Sequence, residues 1–128
     1  MGRVKKPYTA VTIGSLRLAN PVMVASGTFE YRPELAALMQ PQRFGAIVAK
    51  TVTLTPQEGN RPPRTCETPS GMLNAIGLQS AGIDDFIDKK LPVLAGYEVP
   101  LIASIAGRTV EEFTELASRL DQERAVGG

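Results

Sequence analysis

Three apolar runs without alternation limit the folds open to this chain. They are Pro21-Val22-Met23-Val24-Ala25, Phe44-Gly45-Ala46-Ile47-Val48-Ala49 and Pro100-Leu101-Ile102-Ala103-Ser104-Ile105-Ala106, the last interrupted only by Ser104. A strand with one wet face alternates apolar and polar residues. A run that does not alternate must be covered on both faces, as parallel strands under helices are. Helical patterns follow each run. Pro33 to Met39 is apolar at Leu35, Ala36, Leu38 and Met39, with Pro33 at the first helical position. Ile83 to Leu91 carries Asp84, Asp85 and Asp88 toward its start and Lys89 and Lys90 at its end, the order the helix dipole prefers. Thr109 and Glu112 form a T-x-x-E capping box ahead of one helix face, Val110, Phe113, Leu116, Ala117 and Leu120.

Before the first run, Thr9 to Ile13 and Leu16 to Leu18 flank Gly14-Ser15 and predict a hairpin. Strands alternating with helices then predict an α/β fold with a parallel sheet of βαβ units. Between Thr51 and Gly82 lies a stretch without period, holding four prolines and four glycines. Loops of that length in a domain are functional or disordered. Three βα units leave two open sheet edges, whereas a complete (β/α)8 barrel takes about 250 residues. The 128 residues end in Arg124-Ala125-Val126-Gly127-Gly128, where a fourth strand would begin. The expectation is the N-terminal half of a (β/α)8 TIM barrel preceded by a short β-hairpin.

Composition removes several functions. The formal charge is +1, with 14 basic and 13 acidic residues and no basic stripe, so no nucleic-acid partner is expected. The chain has no histidine, which excludes a Ser-His-Asp triad, a Cys-His pair and a His-based zinc site within it; no metal site is expected. Cys66 is the only cysteine, so an internal disulfide is impossible and a reducing compartment is expected. Met1 to Lys6 is basic, but Pro7-Tyr8-Thr9-Ala10 stands where a signal peptide needs an apolar run. No stretch reaches the roughly 20 apolar residues of a membrane span. A soluble, cytoplasmic protein is expected.

In a barrel, ligands bind at the C-terminal ends of the strands. Those ends carry Ser26-Gly27, Lys50-Thr51 and Ser104. A short hydroxyl beside glycine either lets backbone N–H groups approach an anion or flat ring, or simply makes a tight turn. Lys50 closes an apolar run, so it either snorkels to the surface or serves a ligand as a cation. In the segment Glu67 to Gln79, Asn74 both donates and accepts, which suits the amide edge of a pyrimidine or flavin. Gly71 and Gly77 would admit close backbone approach. The alternative is an ordinary loop packing Met72, Leu73, Ile76 and Leu78 beneath the barrel mouth. Cys66 has no neighbour that would lower its pKa, and Arg64 and Glu67 beside it read as loop salt-bridge formers.

These residues carry a family resemblance. Asn20-Pro21 through Ala25-Ser26-Gly27-Thr28, Gly45 to Thr51, and Thr55 to Arg64 resemble class 1 dihydroorotate dehydrogenases; Glu67 to Leu78, centred on Asn74-Ala75-Ile76-Gly77-Leu78, resembles the class 1B catalytic subunit. The resemblance runs from about Val11 to the C-terminus. It implies a flavin-dependent oxidoreductase that oxidises dihydroorotate to orotate with FMN in pyrimidine biosynthesis. Residues 1–128 would then be a single incomplete FMN-binding barrel domain, inactive by itself. By match to the family pattern, Ser26, Lys50, Thr51 and Ser104 would contact FMN. Ser104 stands where many relatives have Asn, a departure that shortens the reach of that group. Lys50 would also touch the substrate, and Asn74, Ala75, Ile76, Gly77 and Leu78 would form the orotate-binding loop. The family's catalytic cysteine, on the loop after strand 4, is expected beyond the C-terminus. The resemblance further implies a homo-oligomer at full length and an electron-transfer subunit with FAD and an iron–sulfur cluster passing electrons to NAD. A related FMN barrel of the dihydropyrimidine dehydrogenase type, or a non-catalytic half-barrel, are the other readings.

Overall fold

The structure, a computed structural model, describes residues 8–29 and 33–127; the basic start from Met1 to Lys6 lies outside them. Each apolar run supplies a strand: β3 (Met23–Val24), β4 (Ala46–Val48) and β8 (Leu101–Ile102). They form one parallel sheet in the order β3-β4-β8, with Val24 opposite Ile47 and Ile47 opposite Leu101. Val24, Ile47 and Leu101 form one buried row across the sheet, whereas the opposite face, with Met23 exposed and Val48 and Ile102 half-buried, is only partly covered, so the expectation of strands covered on both faces holds for one face alone. Ahead of the sheet, β1 (Val11–Ile13) and β2 (Leu16–Leu18) pair antiparallel across Gly14-Ser15, and Leu18 is fully buried.

The ladder does not run unbroken to the strand ends. Ala49 N–H donates to the Ile102 carbonyl at 2.9 Å, and the next link is Val52 N–H to the Ser104 carbonyl at 2.8 Å. Beyond that gap a second parallel pair forms from β5 (Val52–Thr53) and β9 (Ile105–Ala106). The single run expected over residues 100–106 is therefore two short strands. Lys50 and Thr51 sit in the gap on one side, and Ala103 and Ser104 on the other.

Helix α1 (Pro33–Met39) follows β3, burying Ala36 and leaving Leu38 exposed. After β4 the helical stretch is longer than Ile83 to Leu91: it runs from α2 (Gly82–Asp85) through a π turn (Phe86–Lys90) into α3 (Leu91–Ala95). The physical reason is Pro92, which has no N–H for the carbonyl four residues back. It sits in the first turn of α3, where that donor is not needed, and the wider π turn precedes it. Ile83, Phe86, Leu91 and Leu94 pack into the core, each contributing about 1.5–3 kcal/mol by leaving water.

Helix α4 (Val110–Asp121) is capped as expected at one side only: Thr109 Oγ1 accepts from Glu112 N–H, but the Glu112 carboxylate accepts from Arg108 N–H at 2.6 Å. Its apolar face also differs from the pattern. Leu116 and Leu120 are buried, while Val110 is 76% and Phe113 43% exposed. Ala117 and Leu120 instead border an apolar hollow of about 260 Å³ with Ala103, Ile105 and Val126. Val126 makes a parallel bridge to Leu101 beside that hollow.

The stretch expected to be an irregular loop is partly ordered. It contains an antiparallel hairpin, β6 (Thr65–Thr68) and β7 (Gly71–Asn74), turning at Pro69-Ser70. Every residue of both strands is exposed, so no apolar period marks it.

One ion pair joins two helices, and two others lie within the helical stretch from Gly82 to Ala95. Asp84 binds Arg119 on α4, and Asp85 binds Lys89 at 2.8 Å and Lys90 at 3.1 Å. Those two ammonium groups, Lys89 first, hold the Asp85 carboxyl below its ordinary value of 3.8. A carboxyl whose pKa is lower folded than unfolded stabilises the fold above the unfolded value and loses that contribution as pH falls through the folded one. Chemical denaturation of the wild type is expected to include this acid loss below about pH 4, and Asp85→Asn should lack that component. Parallel pH–stability curves for the two would contradict it.

Candidate active site

The parallel ladder brings three hydroxyls from three strand ends into one chain. Thr51 Oγ1 lies 3.2 Å from Ser26 Oγ and 2.9 Å from Ser104 Oγ. All three side chains are half-buried. Each hydroxyl has one proton and two lone pairs, so a chain of three keeps hydrogen-bonding capacity beyond the two bonds it makes. Lys50 completes the group: its stem lies against Gly27, where a Cβ would stand 3.2 Å from Lys50 Cδ and 3.8 Å from Nζ. Gly27 also has φ +78°, so a side chain there would be both crowded and strained.

A cleft of about 210 Å³ opens beside this group, bordered by Lys50, Thr51, Gln79, Ser80, Phe86 and Lys90. Ser80 holds its floor. Its Oγ accepts from Thr53 N–H and from Gly82 N–H, both at 3.3 Å, joining β5 to the start of α2.

Asn74 ends β7 opposite Thr65 and is exposed. Ala75 to Leu78 continue from it along a stem that pairs with residues 57–64: Ala75 N–H donates to the Arg64 carbonyl, Asn60 N–H to the Ile76 carbonyl, and Gln57 and Ser80 exchange both bonds. The segment thus leads from the hairpin into the cleft at Gln79. Among the described residues no hydrogen bond links Asn74 to Leu78 with the Ser26–Thr51–Ser104 chain. Met72 and Leu73 are 62% and 66% exposed, so the loop does not tuck them beneath the strand ends. Cys66 is exposed on β6 with its thiol 3.4 Å from the Glu67 carbonyl. Arg64 hydrogen-bonds the Gln79 side chain and the Asn60 carbonyl in place of the expected salt bridge. The roles of Asn60, Arg64, Gln79 and Ser80 went unmarked in the sequence. The paired Gly59 and Gly77 were the only signal of the stem's close approach.

Comparison with known proteins decides the family. The family model for dihydroorotate dehydrogenase matches residues 8–126. The chain belongs to the dihydroorotate dehydrogenase family. Among similar proteins named dihydroorotate dehydrogenase B (NAD(+)), catalytic subunit, that of Thermoanaerobacter sp. (strain X514) is 52% identical over 117 residues, which is 91% of this chain and 39% of the relative. That of Trichlorobacter lovleyi is 54% identical over 116 residues, covering 91% and 38%. The chain therefore spans about two fifths of the length of the curated dihydroorotate dehydrogenases it matches. The crystal structure of the Eimeria tenella dihydroorotate dehydrogenase, a complex with ferulenol, shares the fold, with a TM-score of 0.60 at 22% identity over 91% of this chain and 35% of that one.

Because Gly27 is left-handed and abuts Lys50, Gly27→Ala is expected to destabilise the chain by about 1–2 kcal/mol. Urea unfolding should show a lower midpoint with an unchanged slope; an unchanged midpoint would contradict the crowding.

Proposed function

We propose that this chain forms the flavin-ring and pyrimidine side of an enzyme that oxidises dihydroorotate to orotate with FMN in pyrimidine biosynthesis. In this reading β3, β4 and β8, each followed by its helices, are the first three units of a (β/α)8 barrel, and residues 1–128 are one incomplete FMN-binding domain. The observation that carries the proposal is the chain of three hydroxyls, Ser26, Thr51 and Ser104, set beside Lys50 at parallel strand ends. Half-identity to proteins named as catalytic subunits supports it.

The donor set fits a flavin ring. Its polar edge presents carbonyl oxygens and ring nitrogens, which hydroxyls and an ammonium can satisfy. The phosphate is assigned to the barrel's strands 7 and 8, the usual place for such a site. FMN supplies the hydride acceptor when bound. Lys50 holds a fixed positive charge where negative charge develops, a preorganised arrangement that needs no reorientation during reaction. Ser26, Thr51 and Ser104 orient the ring through hydrogen bonds. Asn74, with Ala75 to Leu78, presents an amide and main-chain groups to the imide edge of the substrate. The base that takes the C5 proton is assigned to the loop after the barrel's fourth strand, and Cys66, exposed on the hairpin, is a bystander.

Two further assignments rest on the same reading. The relatives are named as NAD(+)-type catalytic subunits, which supports an electron-transfer partner; FAD and an iron–sulfur cluster on that partner, and a homo-oligomeric catalytic core, are part of the same proposal. Among the described residues no helix is long and apolar enough to cross a membrane, and a cytoplasmic location accords with the proposed chemistry.

A chimera carrying residues 8–126 in place of the matching segment of the Thermoanaerobacter subunit is expected to bind FMN and form orotate. A folded chimera that does neither would overturn the proposal. In that protein Lys50→Ala should lower turnover by about 10²–10³ with FMN retained; near-normal turnover would remove Lys50 from its role. Asn74→Ala should weaken orotate binding by about 1–3 kcal/mol, roughly five- to 150-fold, while leaving the flavin spectrum intact. Unchanged orotate affinity would refute the loop assignment.

A further inference from the structure

The segment from Ala75 to Leu78 is shaped from outside itself, and one residue makes two of the bonds that shape it. Asn60 donates its main-chain N–H to the Ile76 carbonyl at 2.9 Å and its side-chain Nδ2–H to the Ala75 carbonyl at 2.8 Å. Two successive carbonyls are thereby held by one residue. Next to them, Ala75 N–H donates to the Arg64 carbonyl at 2.8 Å, so two main-chain bonds and one side-chain bond fix the same turn.

Backbone packing closes around these bonds. A Cβ at Gly77 would stand 2.8 Å from Asn60 N and 2.9 Å from Asn60 Cγ, and a Cβ at Gly59 would collide with the Ile76 carbonyl. The two glycines let the strands of the stem touch main chain to main chain. The cost appears one residue later. Gly77 and Leu78 are both left-handed, at φ +78° and +52°, a conformation that a leucine adopts only when its surroundings impose it. Leu78 has no hydrogen-bonding side chain with which to hold that shape. It is held between the contacts of Asn60 on Ala75, Ile76 and Gly77 before it and the Arg64–Gln79 and Gln57–Ser80 bonds after it.

We infer that Asn60 is the positioning residue of the substrate loop, holding Ala75 to Leu78 in its sharp left-handed turn by a side-chain bond to the Ala75 carbonyl. This rests on the reading of Asn74 to Leu78 as the orotate-binding segment. Asn60 does not itself contact substrate. It acts by presetting the loop, so that binding substrate does not have to order it. Its loss falls on substrate affinity and spares the hydride step.

Two variants test this. Asn60→Asp keeps the size and removes the donor, and Asn60→Ala removes the side chain. In the full chain, amide hydrogen exchange at residues 60 and 75 is expected to rise at least tenfold in both variants. In the flavin-loaded chimera, KM for dihydroorotate and the Kd for orotate should rise about five- to tenfold, the loss of one hydrogen bond. Turnover should change less than twofold, and the flavin absorbance not at all. Unaltered exchange at both amides would overturn the clamp, whatever the loop binds. Faster exchange with unaltered orotate affinity, where Asn74→Ala does weaken orotate, would overturn the positioning role. Faster exchange with orotate affinity indifferent to Asn74→Ala as well would instead remove the substrate assignment beneath it. A fall in turnover equal to the rise in KM would also overturn the role, since it would place Asn60 in the chemical step.

Discussion

Everything described here depends on the seating of β4 between β3 and β8. Ile47 faces Val24 on one side and Leu101 on the other, with Gly45 N–H donating to the Val22 carbonyl and Ile47 N–H to the Pro100 carbonyl. Parallel strands align their C-terminal ends, so pairing in this register sets three chain segments, distant in sequence, at one height. Ser26, Thr51 and Ser104 meet only for that reason. A shift of one residue along β4 would turn every side chain of that strand to the opposite face, burying Val48 where Ile47 now sits and separating Thr51 from both serines.

The gap in the ladder is the second consequence of that seating. Beyond Ala49 the strands part before β5 and β9 rejoin. Main-chain groups near Lys50, Thr51 and Ala103 are thereby released from the regular ladder at the height where side chains converge. Buried apolar residues flank the gap on both sides, Ala49 before it and Val52 after it. Polar groups in such a position keep fixed directions because their own backbones are anchored on either side. This is the physical content of placing a binding site on strand ends instead of on free loops.

Much of this was legible in the residues. The apolar runs marked β3, β4 and β8 by their lack of alternation, although the face carrying Met23, Val48 and Ile102 is only partly covered. The charge order along residues 84–90 and the Thr109 cap marked two helices by their end chemistry. The site residues Ser26, Lys50, Thr51 and Ser104 could be named because each closes or interrupts an apolar run. Other features were not legible. The hairpin over residues 65–74 has every side chain in water, so burial imposed no pattern on it. The helix passed Leu91 because Pro92 falls in the one turn that tolerates it. Phe113 and Val110 fit a helical face by spacing, yet stay exposed because periodicity gives a direction and not the presence of a neighbour. The clamp by Asn60 joins residues 15 and 16 positions apart, once through its side chain and once through its N–H, and both acceptors are main-chain carbonyls, which leave no signature in the identity of Ala75 or Ile76.

The stem beneath the hairpin divides this region into two parts with different freedom to change over evolutionary time. At Gly59 and Gly77 the nearest atoms are main chain from across the stem, the Ile76 carbonyl oxygen and the Asn60 nitrogen, with side-chain atoms of Asn60, Arg64 and Gln79 behind them. A side chain gained at either glycine meets main chain, and no second substitution across the stem can make room by becoming smaller. Compensating pairs, the ordinary route by which packed positions drift together, are closed to these two sites. From Thr65 to Asn74 the opposite holds: strand pairing is made by main chain and every side chain faces solvent. The hairpin can therefore exchange its surface freely while the stem holds its path constant. A lineage could acquire or lose an outward-facing contact surface at Met72 and Leu73 without disturbing the loop that enters the cleft.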